Sequence, residues 1–201
     1  MGRPVMLALA LASGLASTPA RASRIRPLNL EQMTRRADRI FSGRCVGVQV
    51  ERDAVLGRDV TLVTFAVRRR VKGDLGGLVR IKLLGVQVMG RDAPGGVAGL
   101  PRFSRGEEVV VFLYGDSRRG LTSPVGFGQG KFVLLEDKQG RRLAVNSSGN
   151  RHLLAGLSPE AERALGERAA MWRGRGAIPA GVLLDMAESL AGIRQAGRSR
   201  P

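Results

Sequence analysis

The run Ile40-Phe41-Ser42-Gly43-Arg44-Cys45-Val46-Gly47-Val48-Gln49-Val50 decides the fold. Its residues alternate, with Val46, Val48 and Val50 on one side and Phe41, Gly43, Cys45 and Gly47 on the other, which is the period of a strand and not of a helix. The same period returns downstream. Residues 60–71 place Val63, Phe65, Val67 and Val71 on one face, interrupted near the end by Arg69, where its charge can reach water. Residues 78–88 alternate Val79, Ile81 and Leu83 with Arg80 and Lys82. The unbroken run Val109-Val110-Val111-Phe112-Leu113 within residues 108–114 reads as a buried strand. Residues 121–127 form a weaker strand, broken by Pro124 and therefore placed at a sheet edge. Residues 130–136 and 141–146 make a hairpin around Lys138-Gln139-Gly140. About six or seven short strands without helical crossovers predict a mainly β fold, a small antiparallel barrel or sandwich.

Helical spacing appears only at the flanks. Asn29 is placed as an N-cap with Gln32 three positions on, and Leu30, Met33 and Ala37 recur at helical spacing, so a short helix is predicted over residues 29–38. Beyond residue 157, Ser158-Pro159-Glu160 supplies a cap, a first-turn proline and an acid, after which Leu165, Ala169 and Trp172 share a face until Gly174 and Gly176 interrupt it. A last helix over residues 179–194 carries Val182, Met186, Leu190 and Ile193 as one stripe that should cover the sheet. Residues 90–101, with Pro94, Gly95, Gly96 and Gly99, have no period and form a long loop, which in a compact domain is functional or mobile.

At 201 residues, 43% apolar and 25% charged, the chain has the composition of a globular protein with one main core. Arg3, the apolar run over residues 5–16 and Ala20-Arg21-Ala22 make a cleavable leader, so residues 1–22 are expected to be a signal peptide and Ser23 the first mature residue. The run is too short to span a bilayer, and no transmembrane segment is expected in the mature chain. The product is exported, to the periplasm or beyond. Residues 23–150 then hold the β-barrel domain with its N-terminal helix, and 151–201 a C-terminal helical extension. Cys45 is the sole cysteine, which excludes an intramolecular disulfide and suits a buried apolar thiol. One cysteine and one histidine, His152, cannot supply a zinc site, and no metal or cofactor is expected.

The formal net charge is +16. Only Lys72, Lys82, Lys131 and Lys138 are lysines among 33 basic residues, a skew that GC-rich codon usage produces without selection for phosphate binding. Aromatics are 4%, and Phe65 and Phe112 lie in strands that read as buried. This argues against a nucleic-acid partner, which would need exposed stacking platforms; Phe103, Phe127 and Phe132 are the aromatics left over. No residue set forms a recognisable active site. Ser147 or Ser148 with His152 is the single pairing available to a serine-type hydrolase, and it lacks both a nucleophile elbow and an identified acid. Gly126-Phe127-Gly128-Gln129-Gly130-Lys131 lacks phosphate-loop spacing and reads as a kinked strand. Asn146-Ser147-Ser148 satisfies the N-glycosylation sequon.

The order of several short pieces carries a resemblance. Arg36-Ala37-Asp38-Arg39-Ile40, Gly43-Arg44-Cys45-Val46, Phe65-Ala66-Val67 with Val71-Lys72-Gly73-Asp74, Leu100-Pro101-Arg102-Phe103, Gly106-Glu107-Glu108 with Val111-Phe112-Leu113, and Gly128-Gln129-Gly130-Lys131-Phe132 follow one another over residues 30–150. Together they resemble an uncharacterised family of exported bacterial β proteins, itself similar to the netrin-like, OB-type barrel of the tissue inhibitors of metalloproteinases. The resemblance implies an OB-like barrel and a secreted binding module that modulates an extracytoplasmic protease. Those inhibitors present a disulfide-bonded amino-terminal cysteine to zinc; a chain starting at Ser23 with one cysteine does not use that mechanism. The expectation is a non-catalytic module recognising a protein or glycan through its loops. Its binding candidates are Arg102 and Phe103 beside the loop of residues 90–101, and Gln129 and Lys131 beside the kinked strand. An envelope scaffold is the alternative.

Overall fold

Alternation over residues 39–146 closes ladders in the computed structural model, which describes residues 26–86, 96–172 and 176–198. The fold is mainly β, as predicted. One antiparallel sheet contains β1 (Arg39–Asp53), β2 (Arg58–Lys72), β3 (Leu78–Leu84), β4 (Glu108–Leu113), β5 (Lys131–Glu136), β6 (Arg142–Asn146) and β7 (Ile178–Pro179), in the order β3-β2-β1-β4-β5-β6-β7. Helix α1 (Leu30–Arg36) precedes the sheet, and α2 (Pro159–Leu165), α3 (Glu167–Met171) and α4 (Ala180–Arg198) follow it. No helix among the described residues is long and apolar enough to cross a membrane. The leader assigned to residues 1–22 lies outside the described residues.

The sheet is open, which loosens the expected barrel. Its gap is spanned by single bridges, Lys82 to Leu121 in parallel and Leu113 to Pro124 in antiparallel sense. The strand expected over residues 121–127 is therefore reduced to these bridges and a 3-10 turn over Phe127–Gly130. Pro124 has no N–H to donate, so no ladder propagates through it. The seventh strand is instead Ile178–Pro179, at the point where the last helix was expected to start.

The faces of β1 and β2 also differ from strict alternation. Cys45 pairs with Phe65 and Gly47 with Thr64, leaving Val46 as the extra residue of a bulge, so Val48 opposes Val63 on the Cys45 side. An inserted residue reverses the inward and outward sense beyond it. A second irregularity pairs Gly43 with Val67 and Ser42 with Arg69. Arg69 therefore leaves the line of Val63, Phe65 and Val67, and its Nη2 meets Asp185 and Glu188 of α4, each at 2.7 Å, where open water was expected. Gly43 is obligatory here, because a Cβ would lie 2.6 Å from the Ala66 carbonyl oxygen.

Two cores result, and β4 divides them. Val109, Val111 and Leu113 pack with Phe41, Phe65 and Phe103 on one face, while Val110 and Phe112 pack with Phe132, Ala144 and the helices on the other. Burial on both sides explains the unbroken apolar run of this strand. Met186 and Leu190 of α4 are buried, with Val182 and Ile193 packed at the margin, so the stripe does cover the sheet. Leu153, Ala161 and Leu165 belong to the same cluster, and the C-terminal helices thus share a core with the sheet. The helix after Ser158 is split at Gly166, whose φ of 51° ends α2 and starts α3.

Asn29 caps α1 as expected. Its Oδ1 accepts from the Gln32 N–H (2.8 Å), the Gln32 Oε1 accepts from the Asn29 N–H (3.3 Å), and Asn29 Nδ2 donates to the carbonyls of Ala155 and Gly156 (2.9 Å each). Loss of a cap costs about 0.5–2 kcal/mol. Asn29→Ala, which also frees residues 155–156, should reach the top of that range in urea denaturation; a change under about 0.5 kcal/mol would refute the dual role.

Candidate functional site

Two asparagines four residues apart shape the turn after β6. Asn146 Oδ1 accepts from the N–H of Ser148 (3.1 Å) and of Asn150 (2.9 Å) and from Ser148 Oγ (2.8 Å). Asn150 returns the contact, its Oδ1 accepting from the Asn146 N–H (3.0 Å) while its Nδ2 donates to the carbonyls of Ala144 and Gly176 (2.8 Å each). Asparagine suits this place because its short amide serves local backbone groups and tolerates left-handed φ. Asn150 has φ 59°, and His152 (67°) and Phe127 (56°) also lie in the left-handed region. Such backbone is held only where the surroundings over-determine it.

The network continues into the 3-10 turn and the incoming chain. Asn146 Nδ2 donates to the Gln129 carbonyl (3.0 Å), Gln129 Oε1 accepts from the Leu28 N–H (2.8 Å), and Gln129 Nε2 donates to the Arg26 carbonyl (3.1 Å). The sequon is thereby closed. Asn146 is 8% exposed and its amide nitrogen is committed, so expression in a glycosylating host should leave the intact mass unchanged at this site. A glycan found on Asn146 would show that the turn opens before folding is complete.

The four expected binding residues do not form one surface. Gln129 is 8% exposed and clamps the chain at residues 26–28. Phe103 is 3% exposed, edge-on to Phe65 with centroids 5.2 Å apart. Lys131 is 9% exposed; its ammonium donates to Glu107 Oε1 (2.7 Å) and to the Arg102 carbonyl (2.5 Å), 4.6 Å from the Phe103 ring centre. Arg102 alone has an exposed side chain. The polar atoms of Gln129 and Lys131 are engaged in long-range internal contacts, and the Phe103 ring lies in the core. Cys45 is buried close by. Desolvation pushes its thiol above the usual range and Glu107 adds to the effect, while the thiol donates to the Gly47 carbonyl at 3.6 Å. Such a thiol is inert.

What the fold does bring together is a groove. A cleft of about 540 Å³ is lined by Pro27, Gly99, Leu100, Pro101, Gly126, Gly128, Gln129, Ser147, Ser148, Arg151 and His152. It gathers four chain segments, among them the described end of the loop expected over residues 90–101; residues 87–95 lie outside the described residues. A second cleft of about 930 Å³ is lined by Leu154, Leu157, Glu162, Ala169, Ala170 and Trp172, and also by Arg151 and His152, which line both. Arg151 was not singled out in the sequence, and Trp172 was read only as part of a helix face. The spacing of Asn146 and Asn150 around Ser147-Ser148-Gly149 is the signal that marks their turn.

The smaller cleft holds no carboxylate among its lining residues. Ser148 Oγ donates to Asn146 Oδ1, and Ser147 lies exposed against Gly128; among the described residues no hydrogen bond joins either hydroxyl, or an acid, to His152. Among the described residues no group of three or more His, Cys, Asp or Glu could hold a metal. Compared with family models, curated proteins and solved structures, the chain matches none of them.

Proposed function

We propose that this chain is an exported, non-catalytic binding module that recognises a protein or glycan along the groove. The observation that carries the reading is the convergence of four separate segments on one concave surface whose floor is already bonded internally. Ligand sites are characteristically concave and preformed, and binding is strongest where ordering costs are met before the ligand arrives. A netrin-like relationship rests on the order of the short sequence pieces over residues 30–150. An extracytoplasmic protease is one class of protein partner consistent with that relationship.

The test is capture of partners from periplasmic and culture fractions by the processed chain, with Arg151→Glu and Ala170→Trp as exposed groove variants. One stoichiometric partner that both variants lose is the expected result. An unaltered partner profile in both variants would favour the envelope scaffold.

A further inference from the structure

Building on this reading of the groove, we infer that its ligand is a peptide presenting a carboxylate next to a large apolar side chain, as a free C-terminus does. The two halves of the groove differ in chemistry. One offers glycine backbone and serine hydroxyls beside Pro27, Leu100 and Pro101 and without any acid, and the other offers Leu154, Leu157, Ala169 and Trp172, with Glu162 as its one acid. Arg151 and His152 stand at the seam and line both halves. Arg151 is held in place, since its Nε–H donates to the Ser148 carbonyl at 3.0 Å. No bond among the described residues engages its Nη atoms, the edge with which guanidinium receives a carboxylate in two parallel hydrogen bonds. Trp172 lines the larger cleft together with Arg151, and its indole N–H turns back to the Ala177 carbonyl (3.4 Å), so its ring is an apolar partner for the side chain next to that carboxylate. The strongly basic chain adds attraction for such an anion. A neutral glycan uses neither the guanidinium edge nor the aliphatic wall. Capture of a terminal carboxylate is an established mode of peptide recognition.

The experiment screens random hexapeptides, synthesised both as free acids and as C-terminal amides, against the folded chain. Enrichment of free acids ending in Leu, Ile or Phe is expected. For an enriched peptide, fluorescence anisotropy should show at least tenfold weaker binding of the amide. Arg151→Met should bring the acid down to the level of the amide, and Ala170→Trp should weaken the apolar-ended peptide while sparing the preference for acid over amide. Equal binding of acid and amide, no enrichment at all, or tighter binding of an oligouronate than of any peptide overturns the inference. If groove variants still lose the captured partner while acid and amide bind alike, the ligand class is wrong and the groove reading stands. If capture is unaffected as well, both fall.

Discussion

Phe112→Ala is expected to destabilise the protein by about 3–5 kcal/mol, the range for truncating a buried aromatic. Phe112 is fully buried on β4, with its ring centre 5.7 Å from that of Phe132, in the cluster that joins α1, the sheet and α4. Its backbone contributes as well, pairing with Ile40 of β1 and accepting from the Val125 N–H at 2.8 Å. A side chain held from the sheet and the helices at once leaves a void that neither can fill without parting from the other. At roughly 2–4 °C per kcal/mol for a chain of this size, thermal unfolding should move down by at least about 6 °C. Leu135→Ala, at a side chain that is 52% exposed, is the control and should stay within about 0.5 kcal/mol. A Phe112→Ala loss below about 1 kcal/mol would mean that the helices and the sheet do not share a core.

Lys131→Met should cost about 2–3 kcal/mol, because it leaves the largely buried Glu107 carboxylate without its cation and with only the Ser104 N–H. The side chains of Lys131 and Glu107 are only 10% and 17% exposed and meet at 2.7 Å. The ammonium also holds the Arg102 carbonyl, fastening the segment that seats Phe103 on Phe65. The variant Lys131→Met/Glu107→Leu removes both charges and should recover a large part of the loss. A double-mutant cycle in urea then gives the coupling, and additive single losses would show that the two groups act independently. Hydrogen exchange should accelerate at Glu107 and Gly106, whose N–H groups donate to the carbonyls of Ser104 and Cys45, if the pair fastens this segment.

Much of the fold was legible because its cues are local. The N-cap at Asn29, the alternation of β2, β3 and the β5–β6 hairpin, the apolar run of β4 and the stripe of α4 each depend on residues within a few positions of one another. The errors fall where local cues compete. The apolar residues between 121 and 127 have strand-like spacing, yet Pro124 denies them a ladder. Ile178 and Pro179 are too few to announce a strand and become one by pairing with Leu143 and Ala144. The candidate site was half legible. The glycine-rich turn, the serines, His152 and the loop end at Pro101 all line the groove. Phe103 and Lys131 were chosen as surface residues and lie inside, because an aromatic ring or a lysine in a loop or first strand position carries no local mark of burial.

Composition and period alone determined that this chain is mainly β, flanked by helices and without an internal disulfide, since alternation, capping and a single cysteine are properties of neighbouring residues or of a count. The tertiary structure decided which faces the bulged strands of β1 and β2 present, that the sheet stays open, and that Arg151 and Trp172 border one groove. The physical reason is separation along the chain. Gln129 meets Leu28 across 101 residues and Arg69 meets Asp185 across 116, and no cue at one position reveals the identity of a partner that only folding supplies.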